Sequence, residues 1–191
     1  MARKLKYHNI TISGKVGVGG TTLFDNLKTH LGPLGWKFFT AGEFMRKYAQ
    51  EKGLFPKDAK EHHLATAYSD EFDKKVDYGM RERMQKKDNQ VFEGWLAGFM
   101  AREVKGVLKV LLICSDMSVV IDRIVNRDSI AIEEAKAHIK EREEKNIQKW
   151  KRIYGEHDFY DPKQYDLVID TYANSKEETL EKVLKELGFY D

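Results

Sequence analysis

The sequence predicts an α/β fold of three layers, in which helices cover both faces of a five-stranded parallel sheet. Two observations support this prediction. Short runs rich in β-branched and aromatic residues alternate with segments of helical periodicity, and strands that are joined through helices run parallel. The strands are predicted at residues 7–13, 36–40, 90–94, 107–113 and 166–170. The helices that follow them are predicted at about 22–30, 41–52, 117–126 and 176–187.

The composition is that of an ordinary globular protein of one domain. Of the 191 residues, 41% are hydrophobic and 34% are charged, and the formal net charge is +2. A balance this even argues against nucleic acid or an anionic membrane as the partner. The single cysteine, Cys114, excludes an internal disulfide and lies in an apolar run, so we expect an inert core residue in a reducing compartment. No run approaches the ~18 apolar residues of a membrane span, and we expect a cytoplasmic protein.

A glycine-rich stretch joins the first predicted strand to the first helix. Residues 14–22 fit the phosphate-loop template of Gly, four free positions, Gly, Lys and then Ser or Thr, except that Gly20 takes the place of the lysine. A lysine stands instead at position 15. An ordinary turn is the alternative, but four glycines cost chain entropy that a close approach of backbone amides to a polyphosphate would justify. The predicted phosphate contacts are Gly14, Lys15, Val16, Gly17, Val18, Gly19, Gly20, Thr21 and Thr22.

Two charged helical segments interrupt this alternation. Residues 56–87 keep apolar side chains at a spacing of three to four, which predicts packing on one side only, and residues 128–155 form the second segment. We expect one domain over residues 1–191, with a core at 1–55, 88–127 and 156–191. The acids of the first segment are expected to face solvent, and the alternative is that one of them contacts a nucleotide base: Asp70, Glu71, Asp73 and Asp77. His62 and His63 are expected at the surface.

Further charged residues follow the other predicted strands, at the edge of the sheet where ligands bind in this fold class. Arg46 is predicted either to bind the phosphate of an acceptor or to be a solvated helix charge. Glu93 is predicted either to hold Mg²⁺ through water or to be an edge residue, and the Thr21 hydroxyl is placed to bind Mg²⁺. A group of three arginines either surrounds a transferring phosphoryl group or forms a solvated face: Arg123, Arg127 and Arg142.

These residues resemble a known family, the nucleoside monophosphate kinases, and within it the cytidylate kinases of the archaeal type. The similarity covers nearly the whole chain. The Glu-Gly-x-Leu-Ala-Gly pattern at 93–98 and the Arg-Glu-Glu…Ile-Tyr-Gly pattern at 142–155 are specific to that branch. The other matching segments are 10–23, 41–46, 91–92, 123–127 and 165–171.

The resemblance implies the three-layer fold of P-loop NTPases, with residues 56–87 as the monophosphate-binding segment and residues 128–155 as a lid. It implies transfer of the γ-phosphoryl group of ATP to CMP or dCMP with Mg²⁺, and small-molecule nucleotides as partners. The implied catalytic residues are Lys15, Arg127 and Arg142, and Arg123 joins the glycine loop in binding ATP. The implied substrate contacts are Arg46, Glu93, Trp95 and Lys149, and the implied metal ligands are Thr21 and Glu93.

Four positions depart from the family pattern. Gly20 stands in place of a lysine, and Asn146 stands in place of an acid. Trp95 and Lys149 each stand in place of an arginine. Three explanations are open. In the first, Lys15 replaces the missing lysine; some P-loop ATPases keep a lysine at this second loop position, where it commonly acts across a dimer. In the second, the acceptor differs from CMP and Trp95 stacks on it. In the third, the protein binds nucleotide without turnover. Because the arginines and the loop hydroxyl are kept, we expect a working kinase. We expect a monomer, or a dimer if the displaced lysine acts on a second copy.

Overall fold

The computed structural model describes residues 5–53 and 67–190, and within these ranges five parallel strands form one sheet. The strands are β1 (Asn9–Gly14), β2 (Lys37–Thr40), β3 (Gln90–Glu93), β4 (Val107–Ile113) and β5 (Leu167–Asp170). Their order across the sheet is β2-β3-β1-β4-β5, so the first strand lies in the centre. All five predicted strands are present, which confirms the predicted fold class. β1 begins two residues later than predicted.

The α-helices of the described ranges are α1 (Gly20–Leu31), α2 (Ala41–Glu51), α3 (Asp70–Lys86), α4 (Ala97–Met100), α5 (Met117–Asp128), α6 (Ile132–Tyr154) and α7 (Lys176–Leu187). The prediction for α7 is confirmed at both ends, because Ser175 forms a capping box with Glu178 and Gly188 ends the helix at a φ of 82°. The two charged segments contain the long helices α3 and α6. His62 and His63 lie outside the described residues.

Apolar side chains on both faces of the sheet produce the three layers. On one face, Ile10 and Ile12 of β1 pack with buried leucines of α1 and α7. On the other face, Phe92 of β3 packs with Phe99 of α4 and with methionines of α3. Cys114, which was expected in the core, is half-buried at the edge of the apolar clusters. No helix in the described part of the chain is both long and apolar enough to cross a membrane.

The strand register places three segments side by side at the carboxyl edge of the sheet. Glu93 pairs with Ile12 on one side and with Thr40 on the other. The glycine loop follows β1, and α2 begins directly after Thr40. The Ser13 hydroxyl accepts a hydrogen bond from the Gly98 amide at 2.8 Å and donates to the carbonyl of the residue after Glu93 at 3.2 Å. The loop, the glutamate and the start of α2 therefore share one edge.

An ion pair buried between α3 and α6 joins the two charged segments. The Lys149 amine lies 2.7 Å from a carboxylate oxygen of Asp73, and 3% of the lysine side chain and 6% of the aspartate side chain are exposed. At the rim of the same interface, Arg152 lies 2.7 Å from Asp70. Burial of a carboxylate is tolerated when a paired cation balances its charge. The expectation that the acids of this segment face solvent was therefore wrong for Asp73.

Asp77 is a second acid of α3 that contacts α6. Its carboxylate accepts a hydrogen bond of 2.6 Å from the Tyr154 hydroxyl. Burial raises the pKa of Asp77 to about 7 and the charge of Asp73 adds to the shift, although the hydrogen bond from Tyr154 opposes it. Asp77 is half-buried against α6, so the expectation of a solvent-facing carboxylate was wrong for this residue as well. Glu71 is exposed, as expected.

We predict that Gly98→Ala destabilises the fold. A methyl group at position 98 would lie 2.3 Å from a ring carbon of Tyr165, whose ring is buried and whose hydroxyl donates to the Phe159 carbonyl at 2.8 Å. Because that ring is held in place, the free energy of unfolding should fall by about 2–3 kcal/mol, measured with denaturant. Gly79→Ala in α3 is the control, since no described atom lies within 4 Å of the added methyl group. Equal stability of the two variants would contradict this prediction.

We predict that Asp77→Asn gains stability relative to the native chain as the pH rises. The Asp77 carboxyl holds its proton up to about pH 7 in the folded chain, whereas it ionises near its ordinary value of 3.8 when unfolded. Folding therefore requires proton uptake between these values, and the native chain loses stability as the pH rises through them.

The measurement is denaturant unfolding at pH 5 and at pH 8. The free energy of unfolding of the variant, minus that of the native chain, should increase by more than about 1 kcal/mol over this interval. Asp88→Asn, at an exposed position beyond α3, is the control. The same pH trend in both variants would contradict the raised pKa of Asp77.

Candidate functional site

A cavity of about 680 Å³ opens at the carboxyl edge of the sheet, within the part of the chain that the structure describes. Its walls come from the glycine loop and the start of α1, from the first turns of α2, and from α3 and α6. Sites for small ligands usually have volumes of about 300–1,000 Å³. The cavity is therefore of suitable size for a nucleotide.

The glycine loop has the geometry of an anion site. Gly17 and Gly19 have φ values of 77° and 96°, which favour glycine. A Cβ atom on Gly14 would lie 2.6 Å from Val18 and 2.7 Å from the Leu112 carbonyl oxygen. Gly19 precedes α1 without a capping side chain, and the first turn of α1 has no acid. The amides at this helix N-terminus and the positive end of its dipole are therefore available to a phosphate.

Arg123 braces the glycine loop. Its guanidinium donates hydrogen bonds to the Gly17 carbonyl at 3.1 Å, to the Thr171 hydroxyl at 2.9 Å and to the Thr171 carbonyl at 2.9 Å. The Thr171 hydroxyl in turn donates to the Val18 carbonyl at 3.0 Å. Arg123 was predicted to bind ATP. In the structure its N–H groups donate to the loop backbone and to Thr171. The role of this threonine was missed, because a lone threonine after a strand carries no signal of its own.

Lys15 is exposed at the start of the loop and contacts α6. Its amine lies 2.9 Å from a carboxylate oxygen of Glu143 in the same chain. The lysine side chain is 46% exposed and the glutamate side chain is 19% exposed. The displaced lysine therefore bridges the loop and the second charged segment. The contact was not predicted, since partners 128 residues apart leave no local pattern.

Glu93 lies against the first residue of α1, where the template has its lysine. A Cβ atom on Gly20 would lie 3.1 Å from a carboxylate oxygen of Glu93, so a side chain at that position requires the glutamate side chain to shift by a few tenths of an ångström. Burial raises the pKa of Glu93 to about 7, while the charge of Arg46 opposes the shift. Thr21, the next residue of α1, is exposed and lines the cavity.

This carboxyl and this hydroxyl fit a Mg²⁺ ion held mainly by phosphate oxygens and water. Mg²⁺ dehydrates reluctantly, so such sites use one or two protein ligands. The described residues contain no group of three or more His, Cys, Asp or Glu side chains that could hold a metal by themselves. Burial is the main cause of the raised pKa of Glu93, and a cation beside the carboxylate would stabilise its charged form.

All four predicted arginines line the same cavity: Arg46, Arg123, Arg127 and Arg142. Arg142 is 7% exposed, and its Nε atom has no hydrogen-bond partner among the described residues. Burial lowers the pKa of Arg142 to about 10, together with the positive charges of Arg127 and Arg46. A buried cation with an unused donor is costly unless an anion completes its contacts. Arg127 is exposed and forms two hydrogen bonds of 2.7 Å with Asp128.

Trp95 lines the cavity and contacts Arg142. The guanidinium carbon of Arg142 lies 5.3 Å from the centre of the Trp95 ring, within the range of a cation–π interaction. The Trp95 ring also meets the Trp150 ring edge to face, with the ring centres 5.5 Å apart. Where the family pattern has an arginine, this chain therefore has an aromatic ring that helps to hold another arginine.

Two of the positions that depart from the family pattern are buried in α6. Asn146 is 5% exposed and lines the cavity. Lys149 is 3% exposed, contacts Asp73, and donates a hydrogen bond of 2.6 Å to the Tyr68 carbonyl. Of the ion pair, Asp73 is the member that lines the cavity. The prediction that Lys149 contacts the substrate directly is therefore corrected: Lys149 pairs with Asp73, and Asp73 is the residue that lines the cavity.

Comparison with known proteins relates nearly the whole chain to one family. The model of the cytidylate kinase-like family matches residues 9–173. A cytidylate kinase from Methanopyrus kandleri is 35% identical over 178 residues, which cover 89% of this chain and 88% of that protein. A cytidylate kinase from Pyrococcus abyssi is 38% identical over 172 residues, which cover 88% of this chain and 87% of that protein.

The fold also has counterparts among solved structures. A gluconokinase from Sinorhizobium meliloti superposes with a TM-score of 0.58 and 14% identity, covering 97% of this chain and 94% of its own. A likeness at this identity shows the fold alone, which is that of the P-loop kinases. The family match spans the glycine loop, Glu93, Arg142 and Thr171, which are the parts that form and support the cavity. On these grounds the chain belongs to the cytidylate kinase-like family.

Proposed function

We propose that this kinase transfers the γ-phosphoryl group of ATP to CMP or dCMP. One observation carries the proposal: a single cavity joins an uncapped glycine loop to the buried Arg142, whose Nε atom has no partner among the described residues. The loop suits the phosphates of a donor, and the arginine suits a phosphoryl group between donor and acceptor. The relatives named as cytidylate kinases support the choice of acceptor.

On the donor side, the backbone amides of residues 14–22 would hold the phosphates of ATP. The Thr21 hydroxyl and the Glu93 carboxylate would hold Mg²⁺, which when bound neutralises charge on the phosphate oxygens. Lys15 would supply the positive charge that the template lysine supplies in other loops, because it belongs to the loop and lines the cavity. Arg123 would keep the loop in its phosphate-binding shape through hydrogen bonds to the backbone.

On the acceptor side, Arg46 in the second turn of α2 would bind the phosphate of the monophosphate, and Arg127 and Arg142 would stabilise the transferring group. A phosphate oxygen of the acceptor forms the new P–O bond as the bond to ADP breaks. This chemistry depends mainly on positioning and charge stabilisation, so no covalent intermediate with the protein is needed. Trp95 would contribute by holding Arg142 at the cavity wall.

α6 would act as a lid over this site. It carries Arg142, and a lid that excludes water favours transfer to the acceptor over hydrolysis of ATP. The buried pair of Lys149 and Asp73 joins α6 to α3, so the two helices would enclose the acceptor together. We therefore assign residues 56–87 to the monophosphate-binding segment and residues 128–155 to the lid.

Two acids of α3 would select the base. Asp73 and Asp77 lie one helical turn apart, and both line the cavity. The Oδ1 atom of Asp73 is buried without a hydrogen-bond partner in the described ranges. Cytosine carries an exocyclic amine that can donate to a carboxylate, whereas uracil has a carbonyl oxygen at the same position. An acidic wall therefore favours cytosine over uracil.

We also propose a cytoplasmic monomer with small nucleotides as partners. The formal net charge of +2 gives no reason to expect binding to nucleic acid or to a membrane. Lys15 pairs with Glu143 of its own chain, so the displaced lysine needs no second copy to find a partner.

The proposed acceptor is tested by measuring ADP release with CMP, dCMP, UMP, AMP and GMP. We expect turnover with CMP and dCMP at a kcat/KM at least about tenfold above that with UMP, because leaving a buried carboxylate without its donor costs on the order of 1–3 kcal/mol. Equal use of UMP would contradict base selection by α3. Measurable ATP binding without turnover of any acceptor would contradict the enzymatic function.

We predict that Lys15→Ala lowers kcat more than about tenfold at saturating ATP and CMP, the scale of a lost charge contact in the transition state. Lys136→Ala is the control, because that lysine is exposed on α6 and pairs only with the exposed Glu133 in the described ranges. It should keep the native kcat. A native kcat in Lys15→Ala would show that another group replaces the template lysine.

A further inference from the structure

The ion pair of Lys15 and Glu143 joins the glycine loop to α6, two segments at the cavity that lie far apart in the sequence. The Lys15 amine lies 2.9 Å from Glu143 Oε2, across 128 residues of chain. With 46% of the lysine side chain and 19% of the glutamate side chain exposed, the pair is partly solvated. Such pairs contribute little to stability. Its location beside the phosphate loop is therefore a better guide to its role than its effect on folding.

The position of Glu143 in α6 links this pair to the buried arginine of the site. Glu143 follows Arg142 directly, and neighbouring residues on an α-helix point about 100° apart. One of them can therefore line the cavity while the other reaches the loop. Arg142 packs against the Trp95 ring, and α6 is held to α3 by its own buried ion pair. In this packed position, α6 places Arg142 in the cavity wall, and the next residue, Glu143, contacts Lys15 at the same cavity.

Lys15 needs guidance that a template lysine does not. It begins at the strand end of the loop, whereas the template lysine begins at the helix end, at position 20. A free lysine side chain samples many rotamers, and a fixed carboxylate partner restricts them before the phosphate binds. The ammonium group has three N–H donors, so one bond to Glu143 leaves two for phosphate oxygens.

We propose that Glu143 is a positioning residue that holds the Lys15 amine at the phosphate site when α6 is closed. The inference rests on the proposed function of Lys15. It adds that the Glu143 carboxylate is the group by which α6 positions that lysine. Opening of α6 would withdraw Glu143 from Lys15 and Arg142 from the cavity in one movement. Both cations therefore act on the phosphoryl group only in the closed state, when water is excluded.

The test is a double-mutant cycle in the full chain, with Lys15→Ala, Glu143→Gln and the double variant, at saturating CMP. We expect Glu143→Gln to lower kcat about three- to tenfold, with less than about a twofold change in KM for ATP and a melting temperature within ~2 °C of native. The double variant should have the kcat of Lys15→Ala, because Glu143 then has nothing to position. Glu143→Asp should recover part of the kcat, and Glu144→Gln, the exposed neighbour, should retain it.

The cycle separates this inference from the proposed function. If the losses of the two single variants multiply in the double variant, Glu143 acts independently of Lys15 and the inference is overturned. If Glu143→Gln keeps the native kcat while Lys15→Ala is slow, the inference is overturned and the role of Lys15 stands. If Lys15→Ala keeps the native kcat, the role of Lys15 fails and the positioning role fails with it.

Discussion

The parallel pairing of β1 with β3 is the constraint on which the site depends, since the loop, Glu93 and α2 all begin where these strands end. Two buried side chains fix its register. The Asn9 amide oxygen accepts a hydrogen bond from the Gln90 amide at 2.9 Å, and its nitrogen donates to carbonyls at the end of α3. Ser13 bridges the two strands at the other end. A slip of one residue would shift Glu93 by about 3.3 Å and turn it to the opposite face of the sheet.

Those parts of the molecule that depend on local signals could be predicted from the sequence. Residues 107–113 and 176–187 were predicted with the bounds that the structure shows, because a continuous apolar run and a capping box act within a few residues. The glycine loop was recognisable for the same reason, since its conformation requires glycine at particular φ values. Glu93 and Arg142 belong to motifs specific to the family branch, and both line the cavity.

The remaining parts depend on contacts between distant segments. Asp73 was expected in solvent, because a charged helix face has the same pattern whether it meets water or an oppositely charged helix. Lys149 was assigned to the substrate for the same reason, since its partner lies on another helix. Thr171 and Glu143 contact the glycine loop from 153 and 128 residues away. The role of such side chains depends on their position in the folded chain, and no motif around the loop indicates that position.

The contact between Trp95 and Arg142 also gives the protein a spectroscopic property. The chain has three tryptophans. Trp95 and Trp150 line the cavity with ring centres 5.5 Å apart, whereas Trp36 is buried in the apolar cluster of α1 and α7. Indole emission responds to nearby charge, and an anion drawn to the Arg142 guanidinium changes the electric field across the Trp95 ring. If the proposed phosphate site binds an anion, intrinsic fluorescence should report its occupancy without a label or a coupled reaction.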